Sequence, residues 1–89
     1  MKVLIDKSFD KDVKKINDKK IRIRLADTIV KCQGANKIAD IKNCKKLEGS
    51  KNVYRIRIGN YRAGIVYENR KIIFIRFLHR NRIYDYFPK

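Results

Sequence analysis

The stretch VYRIRIGNYRAGIVYE, residues 53–68, decides the fold of this chain. Apolar and polar side chains alternate on both sides of Gly59-Asn60, which is the pattern of two half-buried β-strands. A two-residue loop of this type favours a tight hairpin turn. The hairpin would pair Ile58 with Tyr61, Arg57 with Arg62, Ile56 with Ala63 and Arg55 with Gly64. We therefore predict an antiparallel hairpin with one apolar face and one basic face.

The basic face of this hairpin is its unusual feature. It carries Arg55, Arg57 and Arg62 close together, and Gly64 is predicted to leave open space beside Arg55. Like charges directly opposite each other destabilise a sheet, so an ordinary solvent-exposed face would carry other residues. We interpret this face as an anion-binding site. The interpretation depends on the register, because a shift of one residue would move the arginines to the core side.

Residues before the hairpin predict a strand and two helices. The first five residues have the pattern of a short strand. Ser8 is the expected cap of the first helix, and Asp18 is the expected cap of a second helix that ends at Gly34. Residues 35–52 have no regular pattern and are predicted to be irregular.

Residues after the hairpin complete the predicted fold. A third strand, roughly 71–78, is apolar at nearly every position, as expected of a strand covered on both sides. We predict a single domain over residues 1–89 of the α+β class. Its order is β-α-α-β-β-β, with an antiparallel sheet and an N-terminal helical hairpin packed on one face.

The net charge of +15 indicates a polyanionic partner. A small domain needs only about 2 to 8 net charges for solubility. Thirteen of the 15 lysines lie at or before Lys51, whereas seven of the nine arginines lie at or after Arg55. Arginine binds phosphate with two parallel hydrogen bonds and stacks on bases. We therefore predict that the carboxyl-terminal part of the chain binds nucleic acid, and we expect this nucleic acid to be RNA.

Several other classes of function are disfavoured by the sequence. Apolar runs are far shorter than the roughly 20 residues of a membrane span, and no signal-peptide pattern is present, so we expect a cytoplasmic protein with no membrane partner. Cys32 and Cys44 lack the paired spacing of a zinc site and are expected to be free thiols. Glu68 is the only acid between Lys51 and Tyr84, which leaves no carboxylate cluster for metal-dependent hydrolysis. No metal and no cofactor are expected.

Cleavage of RNA through its own 2′-hydroxyl is chemistry that needs no metal. It requires a base for the hydroxyl, cations for the charge that develops on the phosphate, and an acid for the leaving oxygen. The arginine face supplies the cations. His79, which adjoins Arg80, is the one side chain with an ordinary pKa near neutrality. Tyr84 and Tyr86 could stack on a base or close the core.

A family resemblance is carried by Lys46-Leu47-Glu48-Gly49, by the run from Tyr54 to Arg62, and by His79-Arg80 followed by Tyr84. These residues, together with the length, the strand order and the basic tail, resemble the RelE/ParE superfamily of bacterial and archaeal toxins. RelE-like members are ribosome-dependent endoribonucleases that cut mRNA, and each is neutralised by a co-encoded antitoxin. The resemblance implies a toxin of a type II toxin–antitoxin system that inhibits translation, with an antitoxin, the ribosome and mRNA as partners.

The resemblance also implies roles for individual residues. Arg62 resembles the arginine that stabilises the transition-state phosphate, and Arg80 resembles the proposed general acid. Tyr86, or by the commoner spacing Tyr84, resembles the tyrosine that stacks on the mRNA base. The predicted RNA-binding residues are Arg55, Arg57, Arg62, Arg80 and Arg82, and the predicted catalytic residues are Arg57, Arg62, His79, Arg80, Tyr84 and Tyr86.

The sequence departs from the RelE pattern at the general base. Arg55 and Arg57 stand where the best-known pattern has two lysines, one of them the proposed base. Arginine stays protonated and is a poor base at neutral pH. Either His79 takes that role, or the protein relies mainly on electrostatic stabilisation and is slower.

Two alternatives to an mRNA-cleaving toxin follow from the same residues. A ParE-like toxin would inhibit DNA gyrase and cleave nothing. A non-catalytic RNA-binding member would fit the missing lysine base. The clustered arginines favour the RelE-like reading.

Overall fold

The computed structural model describes residues 1–88 and has five strands and three α-helices in this part of the chain. The elements in chain order are β1 (Lys2–Ile5), α1 (Lys7–Lys14), α2 (Lys19–Gly34), a short 3₁₀ turn (Ile38–Asp40), β2 (Cys44–Lys46), β3 (Val53–Ile58), β4 (Tyr61–Glu68), β5 (Lys71–His79) and α3 (Ile83–Tyr86). Across residues 1–88, the helices are all too short or too polar to cross a membrane. The α+β class is confirmed.

The sheet is mixed, and the prediction of a purely antiparallel sheet was wrong. Its strand order is β1-β5-β4-β3-β2. β1 pairs with β5 in parallel, with Lys2 opposite Lys71 and Ile5 opposite Phe74, whereas the other neighbouring strands are antiparallel. The chain between β1 and β5 contains both long helices and the other strands, which is long enough for the crossover that a parallel pair requires.

β2 was missed by the sequence analysis, because three residues are too few to establish a period of two. It pairs with the first half of β3, with Cys44 opposite Ile56 and Lys46 opposite Tyr54. The segment predicted to be irregular therefore contributes an edge strand beside the arginine hairpin.

The predicted register of the central hairpin is confirmed. Ile58 lies opposite Tyr61, Arg57 opposite Arg62, Ile56 opposite Ala63, and Arg55 opposite Gly64. Gly59 has a φ of +59°, which a glycine adopts without strain in a tight turn. One face of the hairpin joins the core, and the other carries the arginines.

The core lies between the helices and the apolar face of the sheet. Its fully buried side chains include Ile56, Ile65, Phe74 and Phe77 from the strands, and Cys32 from α2. Phe9 of α1 contacts both of these phenylalanines, with ring centroids 5.2 Å and 5.5 Å apart. The predicted packing of a helical hairpin on one face is therefore present.

The helix starts agree only in part with prediction. Asp18 caps α2, and its Oδ1 accepts from the backbone N–H of Lys20 at 2.9 Å. The cap of α1 is Asp6 and not Ser8, because the Asp6 carboxylate accepts from the N–H and the hydroxyl of Ser8. The Ser8 hydroxyl also lies 2.6 Å from the carbonyl oxygen of Ile75, so Ser8 ties α1 to β5.

β4 pairs along one edge of β5, whereas β1 pairs with only residues 71–74 on the other edge. On that second edge, the far half of β5 is bound by α1. Asp12, whose side chain is 7% exposed, accepts from the backbone N–H of Phe77 at 2.9 Å. The same carboxylate accepts two bonds from Arg76, from Nε at 2.8 Å and from Nη2 at 3.1 Å. These contacts also fix the position of Arg76, the charged residue that interrupts the apolar run of β5.

The carboxyl-terminal tail covers part of the basic face of the sheet. Ile83 and Phe87 are buried there, apart from the main core cluster. A Cβ atom at Gly64 would lie 2.5 Å from Cδ2 of Phe87. The prediction of open space at Gly64 was therefore wrong, because the Phe87 ring occupies it.

Candidate functional site

The candidate site is the basic face of the β3–β4 hairpin. Arg57 and Arg62 are directly opposite each other, and Arg55 lies one pair away on the same face. The strands fix the backbone positions of these arginines, so the guanidinium groups share a small area of the surface. We call this set, together with Arg80, the arginine cluster.

Asn43 orients two members of the arginine cluster. Its backbone carbonyl accepts from Nη1 of Arg55 at 3.1 Å, and its side-chain Oδ1 accepts from Nη2 of Arg57 at 3.4 Å. The same carbonyl accepts from the backbone N–H of Arg57 at 3.0 Å. Asn43 has a φ of +60°, a conformation that asparagine tolerates better than most residues. The sequence analysis missed Asn43, whose only signal is an asparagine just before a strand that was itself not predicted.

Arg62 is held by the turn that separates the two strands. Its Nη1 donates to the carbonyl oxygens of Gly59 at 3.0 Å and of Tyr61 at 2.9 Å. Partial burial lowers the pKa of the Arg62 guanidinium, and the positive charges of Arg55, Arg57 and Arg80 lower that pKa further. An arginine nevertheless remains charged at neutral pH. Binding of an anion here would offset the repulsion among the cations.

Arg80 and Tyr84 reach the arginine cluster from the end of β5. The backbone N–H of Arg80 donates to the carbonyl of Asn60 at 2.8 Å, which fixes the start of the tail against the β3–β4 turn. The positive charge of Arg80 lowers the pKa of Arg62 and Tyr84 raises it, so both groups act electrostatically on that guanidinium. Tyr84 is 56% exposed and lines a shallow cavity with Arg55. An exposed aromatic beside clustered arginines can stack on a base.

Tyr86 and Arg82 lie away from the cluster, near Arg76. The guanidinium carbons of Arg76 and Arg82 lie 5.2 Å and 5.4 Å from the centre of the Tyr86 ring. Nη2 of Arg82 also donates to the Tyr86 hydroxyl at 2.8 Å. Of the two candidate tyrosines, the structure thus brings Tyr84 to the arginine cluster, while Tyr86 contacts the Asp12–Arg76 pair through Arg76.

His79 lies on the other face of the sheet. It is directly opposite Tyr61, whose ring packs on Phe77 of the core, and the His79 and Tyr61 ring centroids are 5.7 Å apart. Its Nδ1 accepts from the backbone N–H of Asn81 at 3.2 Å. The pleat therefore separates His79 from Arg57 and Arg62, although the sequence places it next to Arg80.

Metal ligands and reactive thiols are lacking in this site. No group of three or more metal-binding side chains occurs among residues 1–88. The free thiols of Cys32 and Cys44 lie elsewhere, at the end of α2 and the start of β2. Burial raises the pKa of each thiol from its ordinary 9.0 to about 11, so both are protonated at neutral pH. The arrangement can bind an anion and stack a base without further groups.

Comparisons with known proteins agree with this geometry. Residues 3–84 match the family described as the ParE toxin of type II toxin–antitoxin systems. The chain is also 51% identical over 89 residues to Toxin RelE3 of Methanocaldococcus jannaschii, and the match covers 99% of this chain and 100% of that toxin.

Solved structures give the same result. The toxin of a RelB–RelE antitoxin–toxin complex from Methanococcus jannaschii superimposes with a TM-score of 0.81 at 46% identity, over 96% of this chain and 99% of that one. An archaeal RelE–RelB complex from Pyrococcus horikoshii gives a TM-score of 0.71 at 22% identity, over 92% and 97% of the two chains, and shows that the fold is shared. The resemblance found in the sequence is confirmed: this chain belongs to the RelE/ParE superfamily of toxins of type II toxin–antitoxin systems.

Proposed function

We propose that this toxin is a metal-independent endoribonuclease that cuts mRNA on the ribosome and so inhibits translation. The observation that carries the proposal is the convergence of Arg55, Arg57, Arg62 and Arg80 beside the exposed ring of Tyr84. Within residues 1–88, the ion pairs are Lys14–Asp10, Lys31–Asp27 and Arg76–Asp12, so no described carboxylate neutralises this cluster. A phosphodiester would supply the missing negative charge.

The proposed roles follow from the positions of the side chains. Arg62, fixed by two carbonyl oxygens, stabilises the charge that develops on the scissile phosphate. Arg55 and Arg57, oriented by Asn43, add to this stabilisation and hold the phosphate in place. Tyr84 stacks on an adjacent base, and Arg80 is the proposed donor to the leaving oxygen.

The proposal assigns no general base to this chain. His79 lies on the opposite face of the sheet from the arginine cluster. Arginine does not accept a proton near neutral pH. Catalysis therefore rests on charge stabilisation and on alignment of the 2′-hydroxyl with the phosphate, for which a ribosome that holds the mRNA strand would be the natural scaffold. The hydroxyl proton passes to water as the 2′-oxygen bonds to phosphorus and the bond to the 5′-oxygen breaks.

An antitoxin is the proposed protein partner. The toxins of the two archaeal relatives were solved as complexes with RelB antitoxins. An acidic segment that covers the arginine cluster would block the proposed site. The proposed location is the cytoplasm, where translated mRNA would be reached.

The test is induction of this chain in cells, followed by primer extension on an abundant translated mRNA. Cuts within the reading frame that disappear when translation is blocked are the expected result. Cuts that persist without translation would contradict the need for the ribosome. Intact mRNA during growth arrest would contradict the nuclease assignment altogether.

Inhibition of DNA gyrase is the second candidate function, because the matching family is the ParE toxin family. It predicts double-strand breaks in DNA and relief of the arrest by a gyrase resistant to such toxins. A non-catalytic RNA-binding protein is the third, and it predicts RNA binding without cuts in the same experiment.

A further inference from the structure

A second basic depression lies beside the arginine cluster, between α2 and the end of β3. It has a volume of about 150 Å³. Its floor is apolar and its rim is polar and charged; the lining residues are Arg24, Asp27, Thr28, Lys31, Ile41, Lys42, Asn43, Ile56, Arg57 and Ile58. We call this depression the α2–β3 groove.

The charge of the α2–β3 groove is predominantly positive and largely uncompensated. Its single carboxylate, Asp27, is paired with Lys31 at 3.0 Å. Among the described residues, Arg24, Lys42 and Arg57 have no carboxylate within ion-pair distance. Three cations around a small concave surface favour an anion, and Thr28 and Asn43 add hydrogen-bonding groups.

The groove is continuous with the arginine cluster at two points. Arg57 belongs to both, and Asn43, which orients Arg57, also lines the groove. Gly59 forms the second link. Its carbonyl accepts from Arg62 at 3.0 Å, while Nη1 of Arg24 lies 3.0 Å from the place that a Cβ of Gly59 would occupy. The β3–β4 turn is therefore contacted by Arg62 of the cluster and by Arg24 of the groove.

We propose that the α2–β3 groove binds a backbone phosphate of the same RNA strand, next to the scissile one. This inference rests on the proposed function, because it extends the RNA site around the edge of β3. Successive phosphates of one strand would then contact the arginine cluster and the Arg24–Lys42 pair. The groove determines the length of RNA that the toxin holds, whereas the cluster binds the cleavage position.

The experiment measures binding of 2′-O-methyl oligoribonucleotides, which cannot be cleaved, by fluorescence anisotropy at several salt concentrations. The purified toxin is compared with the double variant R24Q/K42Q. The matched control is K7Q/K11Q, which removes the same charge from exposed positions on α1. Thermal unfolding of each variant verifies the fold, and K42Q alone, in an exposed loop, serves as a second groove variant.

The groove variant is expected to lose affinity for a 12-nucleotide RNA and to keep the wild-type affinity for a dinucleotide, which has a single phosphodiester and cannot fill the cluster and the groove together. Its slope of log affinity against log salt should be shallower by about 0.7 for each phosphate contact removed. K42Q should show part of this change. Equal losses for the groove and control variants, or equal losses for both RNA lengths, would overturn the inference.

The same assay separates failure of the groove from failure of the proposed function. R62Q should weaken both RNA lengths, because it alters the cluster. If R62Q weakens both RNAs and R24Q/K42Q weakens neither, the groove inference alone is wrong. If R62Q has no effect, the proposed RNA site is wrong. Loss of binding to polyglutamate without loss of RNA binding in R24Q/K42Q would assign the groove to an acidic protein and overturn the inference.

Discussion

Phe87 packs so closely on Gly64 that a single Cβ atom at position 64 would lie 2.5 Å from its ring. This contact fastens the carboxyl-terminal tail to the face of the sheet that carries the arginine cluster. Gly64 lies opposite Arg55, and Tyr84 extends from the same tail to line a cavity with Arg55. The position of the tail, and with it the position of Tyr84, therefore depends on the absence of a side chain at residue 64.

Gly64→Ala is expected to displace Phe87 and to destabilise the toxin by about 1–3 kcal/mol, the usual cost of an overpacked contact. The free energy of unfolding from denaturant titration measures this loss. Gly34→Ala is the matched control, because a Cβ at Gly34 meets no atom within 4 Å and its effect should be small. In G64A/F87A the two losses should not add, because either change alone ends the same contact. Full additivity would show that the contact is unimportant.

Asp12→Ala is expected to cost about 3 kcal/mol of stability, because it leaves Arg76 and the N–H of Phe77 without their acceptor. Asp10→Ala provides the control on the same helix. Asp10 pairs with Lys14 at 3.1 Å on the exposed surface, where such pairs contribute roughly 0–1 kcal/mol. Similar losses of unfolding free energy for the two variants would contradict the importance given to the Asp12–Arg76 pair.

The thiols of Cys32 and Cys44 are expected to react slowly in the folded toxin. Their pKa values of about 11, against the ordinary 9.0, lower the thiolate fraction at pH 8 about a hundredfold. Alkylation by iodoacetamide, followed by mass spectrometry, measures the rate in folded and in denatured toxin. Equal rates would contradict the burial of the two thiols.

The same pKa shifts predict the stability of the toxin at high pH. Each thiol binds its proton more tightly in the folded state than in the unfolded state, so its contribution is fully present below pH 9.0. The free energy of unfolding should then fall as the pH rises from about 9 to about 11. A C32A/C44A variant should lose this part of the pH dependence. If the unfolding free energy of C32A/C44A shows the same pH dependence as the wild type, other ionisable groups cause that dependence.

His79→Ala is expected to keep most of the proposed nuclease activity, because His79 lies on the helix-facing side of the sheet, opposite the arginine cluster. Loss of a general base would lower the rate by about 100-fold or more. Cleavage rates on programmed ribosomes distinguish the two cases. A 100-fold lower cleavage rate in H79A, with an unchanged melting temperature, would show that His79 acts as the general base.

The affinity of the antitoxin is expected to increase as the salt concentration falls, because the proposed contact covers the arginine cluster. Arg55→Gln and Arg57→Gln should each reduce this salt dependence. Calorimetric titration of toxin with its antitoxin at several salt concentrations measures it. An affinity that does not respond to ionic strength would place the antitoxin on another surface.

The central hairpin was predictable from sequence because its register is fixed by a two-residue turn and by alternation on both strands. Arg57 and Arg62 were placed correctly for this reason. The parallel pairing of β1 was not predictable, because it depends on contacts between distant segments, and β2 was not predictable because three residues are too few to establish a period of two. The space beside Gly64 was wrongly predicted to be open, because the residue that fills it, Phe87, lies far from Gly64 in the sequence.

The positions of individual site residues depend on strand pairing and on the docking of the carboxyl-terminal tail, which the spacing of residues in the sequence does not reveal. His79 and Arg80 are neighbours in the chain, yet β5 pairs His79 with Tyr61 on the helix-facing side, while Arg80 follows the end of the strand and its charge lowers the pKa of Arg62. The family resemblance offers both Tyr86 and, at the commoner spacing, Tyr84 as the stacking tyrosine. Only the docking of the tail directs Tyr84 to the cluster and Tyr86 to Arg76.

The most direct test of the central claim compares wild-type toxin with Arg62→Ala by primer extension on a translated mRNA after induction in cells. Translation-dependent cuts within the reading frame are expected for the wild type, and their loss is expected in R62A, with the R62A protein still folded and still bound by its antitoxin. Cuts of undiminished strength in folded R62A would contradict the role of the arginine cluster in cleavage.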